Sequence, residues 1–78
     1  MARLVLLGPA REAAGTGHDI VEGDSLDVVL EEAVRRYGPE FRAVLAVSRV
    51  WVNGEPAEAG DVIGHDDEIA VLPPVSGG

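Results

Sequence analysis

Apolar residues recur along this chain at two spacings, and each spacing marks a different element. Leu26, Val29, Leu30, Ala33, Val34 and Tyr37 fall at i, i+3, i+4, i+7, i+8 and i+11, which predicts one apolar stripe over about three helical turns. Asp24 or Ser25, just ahead of the stripe, offers an oxygen to the first free backbone N–H groups. Asp27, Glu31 and Glu32 lie toward the front of this segment and Arg35 and Arg36 near its end, the order that a helix dipole favours. Gly38 is suited to end the helix and Pro39 bars its continuation. Glu40–Leu45 has room for another short helical turn, whose type the pattern leaves open.

The other spacing is that of strands. Ala2–Leu7 is an apolar run closed by Gly8-Pro9. Ala10–Gly17 reads as a loop, and His18–Glu22 as a second, short strand. Val47–Val52 is the next strand. Asn53-Gly54 after it is a strong hairpin signal, with a brief return strand at Pro56-Ala57. Gly60–Asp67 is acidic and rich in turn formers. Ile69–Leu72 forms the last strand, and Pro73-Pro74 ends it because proline cannot donate to a sheet ladder. The order β-β-α-β-(short β)-β predicts an α+β domain, with one main helix covering one face of the sheet.

Alternation then divides the strands into faces. Arg3 marks the outward set of the first strand, placing Val5 and Leu7 outside and Leu4 and Leu6 inside. Arg49 does the same for the third, placing Trp51 outside and Val50 and Val52 inside. In the last strand Ile69 and Val71 suit the core, which sends Ala70 and Leu72 outward. If these strands are neighbours, Val5, Leu7, Trp51, Ala70 and Leu72 form an apolar patch of the kind that marks a partner surface, with a tryptophan as anchor.

Composition narrows the possible roles. The chain has 78 residues, 46 % of them hydrophobic, and no cysteine. One core fits that length, and nothing staples it. Fourteen acidic residues against six basic ones give a net charge of −8, which argues against nucleic acid as the main partner and suits a basic groove on a protein. Every basic residue is arginine. Leu4–Leu7 is far too short to span a bilayer, so a membrane role is not expected and the cytoplasm is the default location.

The last residues, Pro73-Pro74-Val75-Ser76-Gly77-Gly78, read as an extended tail (73–78) on a domain covering 1–72. Two prolines favour an extended exit, and six residues at about 3.3 Å each reach roughly 20 Å. Gly77 and Gly78 have no side chains, so a partner's backbone can approach the terminal carbonyl closely. Joining the Gly78 carboxylate to AMP creates a good leaving group, which a sulfur donor can convert to a thiocarboxylate. Gly78 is therefore the candidate reactive site, with Pro73, Pro74, Val75, Ser76 and Gly77 presenting it.

Other chemical signals are weaker. Gly23-Asp24-Ser25-Leu26 spells an esterase start motif, but a serine nucleophile needs a histidine base and an orienting group. His18 and His65 lack the expected carboxylate–histidine spacing. Asp61, Asp66, Asp67 and Glu68 lack the ligand alternation and central glycine of a calcium loop. Two isolated histidines without cysteine do not make a zinc site, so no metal is expected. Gly15-Thr16-Gly17 lacks the lysine and spacing of a phosphate loop. Nothing here supports an enzyme acting alone.

Three segments carry a family resemblance across essentially the whole chain. Ala10-Arg11-Glu12-Ala13-Ala14-Gly15 resembles the "A-x-x-R-E-x-x-G" segment of the small subunit of molybdopterin synthase. Val52-Asn53-Gly54-Glu55 resembles its "V-N-x-E" hairpin, and Asp67 through Gly78 its closing "D-E-V-A-x-x-P-P-V-[ST]-G-G". The chain departs from the family at Asp66-Asp67-Glu68, where Gly-Asp-Glu is usual, and at Leu7-Gly8-Pro9, where an aromatic-alanine pair is common. The resemblance implies a β-grasp, ubiquitin-like fold with a mixed sheet of four to five strands and the last strand between the first and third. It also implies a ubiquitin-activating-type enzyme that adenylates Gly78 using ATP and magnesium, with no cofactor bound to this chain. The large subunit of molybdopterin synthase is then the partner, in a heterotetramer, and sulfur passes from the thiocarboxylate to a cyclic pterin precursor in molybdenum cofactor biosynthesis. Related carriers serving thiamin, cysteine or tRNA thiolation share the fold and ending, as do protein modifiers that form isopeptide bonds.

Overall fold

Burial along the first strand follows the expected alternation. In β1 (Ala2–Leu6), Ala2, Leu4 and Leu6 are buried, Arg3 is exposed and Val5 is intermediate. The structure is a computed structural model and describes residues 1–58 and 60–74. After β1 come α1 (Pro9–Ala14), β2 (His18–Val21), α2 (Leu26–Tyr37), α3 (Pro39–Ala46), β3 (Arg49–Val52), β4 (Glu55–Pro56) and β5 (Glu68–Leu72). The five strands form one mixed sheet in the order β2-β1-β5-β3-β4. β1 and β5 are parallel, and the other pairings are antiparallel. This is the mixed sheet packed on helices that a β-grasp predicts.

The stripe of α2 behaves as its spacing requires. Leu26, Val29 and Ala33 are buried, and Leu30, Val34 and Tyr37 pack partly buried against the same core. Leu4, Leu6, Ile69 and Val71 supply the sheet's contribution. At Gly38, φ is 98° and the backbone N–H donates to Val34 O at 2.8 Å, so the chain turns out of α2 and directly into α3.

Two stretches differ from the sequence reading. Residues 10–17 are not all loop, because Pro9–Ala14 is a helix. Pro9 occupies its first turn, where no backbone N–H is needed, and alanines at 10, 13 and 14 favour the helical state. A six-residue helix is marginal alone; here Ala10 is buried, and Ala13 and Ala14 pack on the core. The turn left open at Glu40–Leu45 is also a full α-helix, Pro39–Ala46. It delivers Phe41, the largest fully buried side chain, which meets Tyr37 edge-on with ring centroids 5.1 Å apart.

Smaller differences concern ends and caps. Val47 belongs to the end of α3, so β3 begins at Arg49. The hairpin return is Glu55–Pro56, one residue earlier than Pro56-Ala57. Asn53 and Gly54 have φ of 52° and 82°, the two positive values of a type I′ turn. Ser25 holds the cap position of α2, but its hydroxyl donates to Asp27 Oδ1 at 2.7 Å and does not accept from the backbone.

Candidate functional site

The sheet order places β5 in the middle, and the register makes the outer-face residues neighbours. Val5 lies opposite Ala70, and Trp51 lies opposite Ala70 from the other side. His18 pairs with Val5 and Pro56 with Trp51, so one row crosses all five strands. Beside it, Leu72 lies opposite Arg49, and Leu7 N donates to Val71 O at 3.1 Å, just beyond the end of β1.

Exposure on this face is graded. Leu7 is 40 % exposed; Val5, Trp51, Ala70 and Leu72 are half-buried. The register sets Val5, Ala70 and Trp51 side by side, so the patch is one continuous strip across three strands. None of the five belongs to the core cluster.

The charges are unevenly placed. The outward-facing charged residues on β1, β3 and β5 are Arg3, Arg49 and Glu68, by the alternation just described. Much of the acidic excess lies on the segment before β5, where Glu58, Asp61, Asp66 and Asp67 have no basic residue among them. This face is therefore a weakly charged apolar strip bordered by Arg3, Glu68 and Arg49, on a chain of net charge −8.

At the base of the tail, the turn between β1 and α1 comes up against Pro73. Gly8 has φ 57°, and a Cβ built on it would lie 3.5 Å from Pro73 Cγ. The sequence reading treated Gly8 as punctuation only. The cue it missed is Gly8-Pro9 followed by an alanine-rich run, which begins a helix and holds the glycine beneath the departing chain. Pro73 and Pro74 are exposed. Val75, Ser76, Gly77 and Gly78, including the candidate reactive carboxylate, lie outside the described residues.

The acidic groups of the segment before β5 are used in turns. Asp67 Oδ2 accepts from Gly64 N at 2.6 Å and Asp67 Oδ1 from Asn53 Nδ2 at 2.9 Å, while Asn53 Oδ1 accepts from Glu68 N at 3.0 Å. These bonds, with the Gly64 contribution first, hold the Asp67 carboxyl below its ordinary range. Asp61 Oδ2 accepts from Glu58 N at 2.9 Å. Among the described residues no group of three or more potential ligands is gathered to hold a metal ion, and no helix is long and apolar enough to cross a membrane.

Comparisons with known proteins agree with this fold. The sequence profile of the ThiS family matches residues 4–78. No curated relative matches the sequence. Among solved structures, the small archaeal modifier protein 1 from Methanosarcina acetivorans is 26 % identical, with 99 % of this chain and 95 % of that one covered and a TM-score of 0.88. A chain of the complex of subunits 1 and 2 of molybdopterin-converting factor from Helicobacter pylori 26695 is 19 % identical, with 99 % and 97 % covered and a TM-score of 0.72. A chain of the Amycolatopsis orientalis BexX/CysO complex is 16 % identical, with 100 % of both chains covered and a TM-score of 0.83. The last two likenesses establish the fold alone.

Proposed function

The chain belongs to the ThiS family, and on that premise we propose that it is the sulfur-carrying small subunit of a molybdopterin synthase. The observation that carries the proposal is the continuity between the central strand and the end of the chain. β5 ends at Leu72, beside Val5, Leu7 and Trp51, and Pro73-Pro74-Val75-Ser76-Gly77-Gly78 follow at once. A partner that covers the outer face is thereby positioned to receive the tail as well.

The chemistry runs through Gly78. Its carboxylate attacks the α-phosphate of ATP on a ubiquitin-activating-type enzyme, which supplies magnesium; pyrophosphate leaves and an acyl-adenylate forms. A sulfur nucleophile displaces AMP and leaves a thiocarboxylate. On the large subunit of molybdopterin synthase that sulfur passes to a cyclic pterin precursor, water restores the carboxylate, and the carrier is released for another round. In this cycle the chain supplies reach and a docking surface, and its partners supply the catalytic side chains.

Solved relatives of this fold include a modifier and a chain of a CysO complex as well as a molybdopterin-converting-factor chain. The ending Pro-Pro-Val-Ser-Gly-Gly supports the molybdopterin reading over a carrier for thiamin, cysteine or tRNA thiolation. The deciding assay combines the thiocarboxylated chain with the pterin precursor and a large subunit. Formation of the pterin dithiolene is expected. If thiocarboxylate is consumed only with another pathway's acceptor, or if the chain appears as high-mass adducts on cell proteins, the assignment fails.

A further inference from the structure

Among the described residues no strand lies beside the outer edge of β2, and its backbone groups are nevertheless occupied. In an antiparallel pair, successive residues direct their N–H and C=O alternately toward and away from the partner. Leu6 N takes Gly17 O at 2.9 Å, so Gly17, Asp19 and Val21 face β1, whereas His18 and Ile20 face outward. The Thr16 hydroxyl donates to His18 O at 2.9 Å and accepts from His18 N at 3.4 Å. Asp19 Oδ1 accepts from Ile20 N at 2.8 Å, and Arg36 Nη1 donates to Ile20 O at 2.9 Å. All four outward groups of the two residues are bonded to side chains of the same molecule.

Arg36 is itself held firmly. Its Nη1 also meets Asp19 Oδ2 at 3.1 Å, and its Nε meets Glu32 Oε2 at 3.0 Å. The reach from α2 across to the strand edge is thus fixed at both ends.

This edge needs such protection. Ile20 is 48 % exposed, Val28 44 % and Met1 54 %, and they line one groove beside it. A second copy laid antiparallel on β2 would set His18 against Ile20 of the copy, and Ile20 against His18, an isologous arrangement making four backbone hydrogen bonds. Exposed edges of this kind are where chains pair with one another.

We propose that Thr16, Asp19 and Arg36 form a side-chain seal over β2 that prevents a second copy of this chain from adding there, and that opening the seal turns the edge into a self-association surface. The seal is independent of what the tail carries. With it closed, the outer face and not the strand edge is left for partners.

The test uses the full chain and two double variants. T16V/R36M removes the Thr16 hydroxyl and the guanidinium on Ile20. T16V/R35M loses the same hydroxyl and the same charge but keeps the Arg36 guanidinium on Ile20, because the side-chain bonds of Arg35 go to Glu32. Sedimentation over a concentration series is expected to show T16V/R36M associating at roughly tenfold lower concentration than T16V/R35M. Amide exchange at His18 and Ile20 is expected to slow in the associated form. A folded T16V/R36M that associates no more readily than its control overturns the proposal, and so does association that leaves those two amides unprotected. If T16V/R36M loses its circular dichroism, Thr16→Val alone against the parent makes the comparison, since it frees both outward groups of His18; unchanged association there also overturns it.

Discussion

Tyr37, in the last turn of α2, donates its hydroxyl hydrogen to the carboxylate of Asp19 on β2. The bond ties the end of the main helix to the edge of the sheet. Burial and the neighbouring carboxylate push the Tyr37 phenol above its ordinary pKa. Asp19 is held below its ordinary value of 3.8, first by Tyr37 and then by the Ile20 N–H and Arg36.

The sign of the resulting pH dependence follows. Asp19 titrates lower in the folded chain, so its stabilisation is complete above the unfolded value near 3.8 and is lost as pH falls through the lower folded value. Tyr37→Phe is expected to cost about 1 kcal/mol at neutral pH, and the cost should shrink in acid. Urea unfolding at both pH values measures it; an equal cost at the two would detach the effect from Asp19.

Asn53 joins the hairpin to the start of β5 through both ends of its amide, while its own φ is 52°. Asn53→Ala removes the two bonds and leaves an unfavourable backbone angle, an expected loss of about 2 kcal/mol. Asn53→Gly relieves the angle without restoring the bonds and should lose less. Thermal melts of the pair separate the contributions, and equal losses would deny the angle a part.

Phe41 is fully buried. Replacing it with alanine leaves a cavity where α3 meets Tyr37, at a cost of about 3–5 kcal/mol. For a domain of this size each kcal/mol is worth about 4–8 °C, so the melting temperature is expected to fall by about 12–40 °C. A Phe41→Ala melt within a few degrees of the parent would show that α3 is not part of the core.

Trp51→Ala and Leu72→Asp address the outer face. Each is expected to weaken binding to a large subunit by about 1–3 kcal/mol with little change in folding. Calorimetry decides, and unchanged affinity for both would remove this face from the interface.

Deletion of Gly78 is expected to leave the fold intact and abolish sulfur transfer. Mass spectrometry of the activated chain gives the readout. Thiocarboxylate on the truncated chain, followed by transfer, would move the reactive site off Gly78.

Much of the fold was legible because its determinants are local. The stripe from Leu26 to Tyr37, the Asn53-Gly54 turn and the alternation at Arg3 and Arg49 each carry their own periodicity. α1 was harder to read, because its local cue, Gly8-Pro9 before an alanine-rich run, spans only six helical residues, and the helix also depends on Ala10, Ala13 and Ala14 finding the core. Phe41 hid because the eight residues of α3 give too few turns to display a stripe. At the site, faces could be read from one strand at a time, but the row Val5–Ala70–Trp51 needed the register. The contact of Gly8 with Pro73 and the reach of Arg36 to Ile20 link positions far apart in the chain, and no spacing rule anticipates them.

The central place of β5 also has a mechanical meaning. Whatever hauls on the end of this chain pulls a strand lengthwise between two others, four registered residue pairs with β1 and four with β3. Those bonds meet the load in shear and must yield together, where an edge strand would peel away one pair at a time. The domain is thus a firm anchor for whatever load its last strand receives.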